Sequence, residues 1–295
     1  MHLHENCFTG VSVTDLKNHK VWDAINDGTI YSCPSLLASF VVLSFADLKK
    51  YHFSYWFAFP AIHSTPSWTP SPSTSGGALE GERSNNDASY WRHLTTSESS
   101  TLVDAVQTWR YTTDSRQHGF FLARKNRLSM SGTTPNVSIG PESTSDPPEN
   151  ARSSSADDDR SPWSISPLSG FDSGFFKAAP EYDCFVCFAD PSNYADAPGW
   201  MLRNLLILVR QRWNLNRVNI LRYRDVQSRR DQARSMTMTL ESVQPQAKNS
   251  APDEGTVAMP KVTGWERNAS GKLSGRVVDL TAYMDPARFV AFPVE

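Results

Sequence analysis

Four cysteines and seven histidines are the residues of this 295-residue chain with the widest chemical reach. Cys184 and Cys187 stand as C-x-x-C, the spacing of a redox pair or of half a tetrahedral zinc site, and Cys7 and Cys33 bring the total to four. Their flanks argue against both readings. Tyr182, Phe185, Val186 and Phe188 make the run a β-strand, where positions three apart face opposite sides and neither share a metal nor easily close a disulfide. A redox C-x-x-C instead opens a helix, whose terminus lowers the thiol pKa. The histidines form no H-E-x-x-H and no recognisable triad element. Asp157, Asp158 and Asp159 lie in a Ser-rich run and read as a solvated acidic loop rather than metal ligands. No glycine-rich phosphate cradle of the G-x-G-x-x-G or G-x-x-x-x-G-K type occurs.

Charge gives the stronger lead. Arg203, Arg210, Arg212, Arg217, Arg222, Arg224, Arg229, Arg230 and Arg234 crowd one segment against Asp225 and Asp231, in a chain of net charge −2 and pI about 6.4. A planar guanidinium pairs bidentately with carboxylate or phosphate, so an acidic partner could dock there. The alternative is a solvated helix face with edge-strand charges that discourage aggregation. Trp200, Trp213 and Tyr223 lie in or near the same segment and would serve as stacking platforms were the ligand a nucleic acid; without an RRM, KH or zinc-finger signature that reading is disfavoured.

The elements that position these residues are mixed. Leu102, Val106 and Trp109 recur at helical spacing after Ser99 or Ser100 as cap, predicting a helix over 100–110, followed by a strand over 119–124. Residues 182–190 read as a strand ending in Asp-Pro. Leu202, Leu205, Leu206, Val209 and Trp213 then share one helical face, with Pro198 near the first turn. Residues 217–225 form a further strand, and Met236, Met238 and Leu240 alternate with Thr237, Thr239 and Glu241 in a half-exposed one. Phe53, Tyr55, Phe57 and Phe59 alternate with His52, Ser54, Trp56 and Ala58, predicting an aromatic strand buried on both sides, with Trp56 and Trp200 in the core. The expected class is α+β: a mixed, largely antiparallel sheet packed with short helices. Two Ser-, Pro- and Gly-rich stretches, 64–88 and 129–170, are expected as disordered insertions, because they bury too little apolar surface to offset chain entropy.

The longest apolar runs, LLASFVVLSF and LLILV, fall short of the roughly 18–20 residues of a membrane span, and the start carries no signal-peptide pattern, so a cytoplasmic protein is expected.

Three segments in fixed order, FADLKKYHFSYWFAFP at 45–60, FADPSNYADAPGWMLRNLLILVRQRW at 188–213 and VTGWERNASGKLSGRVVDLTAYMDPAR at 262–288, resemble the N-terminal domain of the autophagy-related protein seven family, ubiquitin-like modifier-activating enzymes. The resemblance implies one recruitment domain over 1–295, incomplete at both ends, with the adenylation and catalytic-cysteine domain absent. It implies that this domain docks the conjugating enzymes, autophagy-related proteins three and ten, through an acidic flexible segment, for transfer of the modifiers, autophagy-related proteins eight and twelve. ATP and Mg²⁺ would belong to the missing catalytic domain, homodimerisation to the missing C-terminal part, and the setting to the cytoplasm and phagophore assembly site. No catalytic residue, cofactor ligand or metal ligand carries over. The expected partner-binding residues are Arg203, Arg210, Arg222, Arg224, Arg229 and Arg230, with Tyr55 and Trp56 as the alternative docking cluster. Against this interaction module stand a stand-alone enzyme with an unrecognised site and an arginine-rich nucleic-acid binder.

Overall fold

Alternation of apolar residues on both sides of the central strands demands cover on two faces, and the fold supplies it. The computed structural model describes residues 19–71, 90–126, 162–177, 179–195, 197–225, 227–229, 232–242 and 259–284. In chain order its elements begin with α1 (His19–Asp27), β1 (Val41–Asp47), β2 (His52–Ile62), β3 (Thr69–Ser71), β4 (Arg92–His93), α2 (Thr96–Thr112) and β5 (Phe120–Lys125). They continue with β6 (Trp163–Pro167), β7 (Cys184–Ala189), α3 (Met201–Gln211), β8 (Arg217–Tyr223), β9 (Met236–Glu241), β10 (Val262–Trp265) and β11 (Arg276–Asp279).

The larger sheet runs β3-β9-β8-β7-β5-β6, with β4 also on β9. Its pairings are antiparallel except β7 with β8, which are parallel because α3 crosses over between them. Phe120, Leu122, Val186, Phe188, Ile220 and Met238 pack toward α1 and α3, while Phe121, Ala123, Phe185, Cys187, Leu221 and Tyr223 pack with the apolar face of α2. This is the mixed, largely antiparallel α+β architecture expected. β9 departs from its half-exposed expectation: Thr237 and Thr239 are as buried as Met236 and Met238, and Thr239 Oγ1 donates to Asn219 Oδ1 at 2.8 Å.

A smaller sheet grows from β2, which is eleven residues long. β1 pairs along one edge, from Val41 opposite Ala58 to Asp47 opposite His52. The other edge takes β11 opposite 52–55 and β10 opposite 58–62. β10 carries an irregularity between Thr263 and Trp265, and Gly264 is required there because a Cβ would sit 2.3 Å from the Phe59 carbonyl oxygen. Buried Asn204 ties α3 to β2 and to the segment before β1: its Nδ2 donates to Leu37 O and Pro60 O, both at 2.9 Å, and its Oδ1 accepts from Ile62 N at 3.0 Å.

Helix α2 starts earlier than the Ser99 or Ser100 cap predicted. Thr95 is the cap: its Oγ1 accepts from Glu98 N at 3.2 Å while Thr95 N donates to Glu98 Oε2 at 2.9 Å, a closed capping box. Ser99 is buried and instead donates to Asp225 Oδ2 at 2.6 Å.

Part of each stretch expected as a disordered insertion is ordered. Residues 64–71 contain β3, paired with β9, and Ser242 Oγ donates to Ser67 O at 3.1 Å. Residues 163–167 are β6, paired with β5, and Trp163 and Leu168 are buried. A single large apolar residue in a Ser/Pro background is enough when an open sheet edge supplies backbone partners. Residues 72–88 and 129–161 lie outside the described residues.

Candidate functional site

The arginine-rich segment does not form one cationic surface. α3 and β8 carry its members to different sides of the fold, and most are spent on internal contacts. Arg217 pairs with Glu181 at 3.4 Å and Glu241 at 3.2 Å. Arg212 donates to Asn26 O at 3.0 Å and lies over the Tyr31 ring. Arg210 stacks on Trp68 with its carbon Cζ 4.9 Å from the ring centroid, and burial lowers its pKa from the ordinary arginine value. Arg203 and Arg229 are exposed, and Arg230 lies outside the described residues.

Arg222 is the largest departure from expectation. Its side chain is 0% exposed. Nε donates to Asp190 Oδ2, Nη1 to Ala195 O, and Nη2 to Tyr194 O at 2.7 Å and Ala197 O at 3.1 Å. Asp190 Oδ1 in turn accepts from Ser192 N at 3.0 Å and Gly199 N at 3.1 Å. The segment after β7 is therefore wrapped around one guanidinium whose charge is matched by one carboxylate. Arg224 extends the clamp, donating to Ser192 O. Arg222 cannot be a docking residue, and Arg224 is committed to the same loop. Sequence reasoning missed this because a buried arginine and a surface one read alike; Asp-Pro-Ser-Asn at 190–193 was the available turn signal.

The clamp lies at the carboxyl ends of β7 and β8, where open α/β sheets place ligands. Here the connection 190–199 holds one glycine, Gly199, whose Cβ position is 2.8 Å from Asp190 Oδ1, and the loop carbonyls and Asp190 are taken by Arg222.

Tyr55 and Trp56 are brought onto the small sheet, on opposite faces, and both are half-buried rather than core. Trp200 is half-buried as well, so the expectation of Trp56 and Trp200 as interior residues and of a strand covered on both sides is corrected. The reason lies in the neighbours: β2 enters the core from Ala58 onward, whereas residues 52–57 pair with β1, β11 and the Glu266 amide. Along one face Tyr55, Phe57 and Phe59 form a ladder with centroids 6.5 and 6.4 Å apart, ending on Trp200 at 4.8 Å. Phe40, Val42 and Val278 are exposed, as are Phe45 and Val277. Register puts Val42 opposite Phe57 and Phe45 opposite Ser54, so both faces of this sheet present apolar side chains.

Cys184 and Cys187 project to opposite faces of β7. Burial pushes the Cys184 thiol up to about 11 and the Cys187 thiol well above its ordinary value, so neither is a poised thiolate. Trp213 and Tyr223 are buried in the cores, which removes two of the three rings considered for base stacking.

A family profile described as the N-terminus of ubiquitin-like modifier-activating enzyme ATG7 matches residues 11–284. Among curated proteins, the ubiquitin-like modifier-activating enzyme ATG7 of Ajellomyces capsulatus is 57% identical over 276 residues, covering 91% of this chain and 36% of the relative. The corresponding protein of Emericella nidulans is 50% identical over 271 residues, covering 91% of this chain and 34% of the relative. The chain thus spans about a third of the length of the curated relatives it matches. Among solved structures, the Atg7NTD–Atg10 complex of Kluyveromyces marxianus gives a TM-score of 0.49 at 16% identity, covering 94% of this chain and 71% of that chain.

Proposed function

Because the chain belongs to the ubiquitin-like modifier-activating enzyme ATG7 N-terminal family, we propose that it is a recruitment module that holds a conjugating enzyme beside the catalytic part of a longer activating enzyme. The conjugating enzymes are autophagy-related proteins three and ten, and the modifiers passed to them are autophagy-related proteins eight and twelve. Adenylation with ATP and Mg²⁺, thioester formation and homodimerisation belong to the remaining part of the longer relatives, in the cytoplasm and at the phagophore assembly site.

One observation of this chain carries the reading: the sheet of β1, β2 and β11 leaves Val42 and Val278 exposed beside half-buried Tyr55 on one face, and Phe45 and Val277 exposed beside half-buried Trp56 on the other. Exposed apolar surface of this kind marks an interaction site, and aromatic residues supply most interface energy per residue. The acidic flexible segment of the partner adds a second, charge-dependent contact.

Calorimetry of the purified chain with the conjugating enzyme tests this. Binding should weaken on Phe45→Lys or Tyr55→Ser without a change in melting temperature, and the chain alone should support no modifier-dependent pyrophosphate exchange. Unchanged affinity in both variants would remove the sheet from the docking surface.

A further inference from the structure

We infer that the open edge of β1 pairs with β1 of a second copy of this chain, antiparallel about a two-fold axis at Ser44, so that two copies of the smaller sheet join into one.

Backbone direction defines that edge. Phe57 O accepts from Glu266 N and Tyr51 O from Leu280 N, so the odd positions of β2 turn their peptide groups toward β10 and β11. Peptide groups alternate sides along an antiparallel strand, which turns the even positions of β2 toward β1. Their partners there are Val41, Leu43, Phe45 and Asp47. The N–H and C=O groups of Val42, Ser44 and Ala46 therefore point away from β2, and among the described residues no strand pairs with them. The other described sheet edges are short or blocked: β3 has three residues including Pro70, β4 has two, β6 ends in Pro167, and β10 and β11 have four each. β1 has seven, VVLSFAD, in unbroken register with β2 and without proline, lysine or arginine. A long apolar edge that carries none of these guards is a template for another strand.

The strand is complementary to itself. An axis at Ser44 sets Ser44 opposite Ser44, Val42 opposite Ala46 and Leu43 opposite Phe45, and each outward-facing position becomes a hydrogen-bonded pair that exchanges both backbone bonds. Just outside the strand the same register sets Phe40, 53% exposed, opposite Leu48, 69% exposed. The only charged residue, Asp47, falls opposite Val41. The two Asp47 carboxylates then stand about 20 Å apart, six positions at about 3.3 Å each, well beyond the Debye length of about 8 Å. Edge pairing leaves both faces of the sheet open, so Tyr55 and Trp56 stay accessible in the pair. An isologous contact uses each edge once and closes at two copies. This self-contact is separate from the homodimerisation assigned to the remaining part of the longer relatives.

Sedimentation equilibrium of the 295-residue chain reads the association, and hydrogen exchange locates it. The mass should rise with concentration from 33.0 kDa toward twice that value, and the amides of Val42, Ser44 and Ala46 should gain protection in step. Ser44→Pro removes the central outward donor without touching a bond to β2, and should raise the dissociation constant by at least about tenfold. Ser44→Lys and Ser44→Glu each set like charges opposite one another at the axis. Either alone should weaken pairing by about fivefold, and an equal mixture should recover it as a heterodimer. The Ser44 side chain is exposed, so melting of the charge variants should match the parent; if Ser44→Pro melts lower, the charge pair decides. A chain that stays at 33.0 kDa from about 1 μM to about 1 mM, or that grows past two copies, overturns the proposal. So does a mixture of the charge variants that associates no better than either alone, or protection of the three amides only when a conjugating enzyme is added.

Discussion

Replacing Arg222 by alanine should unfold the end of the sheet it organises. The substitution removes donors from Tyr194 O, Ala195 O and Ala197 O and strands the Asp190 carboxylate, which keeps Ser192 N and Gly199 N but loses its counter-charge. Breaking a buried ion pair by deleting one partner costs about 3–5 kcal/mol, because the remaining charge is uncompensated. At about 2–4 °C per kcal/mol for a domain of this size, the melting temperature should drop by about 6–20 °C. Arg222→Lys, which keeps the charge but cannot span four acceptors, should fall between alanine and the parent. Arg229→Ala, on an exposed side chain of the same segment, is the control and should leave melting unchanged. Differential scanning calorimetry with tryptophan fluorescence reads all of these. An Arg222→Ala protein melting within about 2 °C of the parent would refute the clamp, since the expected loss is several times larger.

Asn204→Leu should destabilise the protein by about 1–3 kcal/mol for each buried backbone group left unpaired, and hydrogen exchange at Ile62 should rise first. In native protein iodoacetamide should label the half-buried Cys33 before Cys184, and Cys187 only on unfolding. Glu98 gives an acid-dependent term: burial alone would raise its pKa, but the hydrogen bonds from Lys125 and the Thr95 amide hold it below the ordinary glutamate value. A depressed carboxylate contributes stability above its unfolded pKa, near about 4.3, and loses it as pH falls through the folded value. Glu98→Gln should therefore flatten the melting profile between neutral pH and about pH 3, measured by thermal scans.

Local periodicity carried most of the fold. Leu202, Leu205, Leu206 and Val209 pointed to α3, and the apolar runs at 184–189 and 217–223 to its flanking strands, because burial on one helical stripe or two strand faces leaves a repeating trace. What periodicity does not carry is the identity of neighbours. Trp56 was expected inside because aromatic density usually means burial, yet its exposure depends on β1 and β11, the latter paired with β2 from more than two hundred positions away. Trp163 was expected in a disordered stretch because averaging over Ser and Pro hides one ring. Arg222 was counted as a surface cation because charge alone does not tell which guanidinium a loop will enclose, and Tyr194 carried no signal apart from the turn residues around it.

The wiring of the small sheet also fixes when it can exist. His63 bonds to Thr263 across 200 positions, and Thr281 Oγ1 donates to Lys50 O across 231. On a ribosome adding about 5–20 residues per second, β1 and β2 wait about 10–50 s for the strand that completes the surface proposed for docking. During that interval VVLSFAD and HFSYWFAF are an unsupported hairpin rich in aromatic side chains, with an open edge and high contact order. A nascent chain is thus most prone to aggregate before β11 emerges, and the surface proposed for docking is complete only once synthesis has reached Asp279.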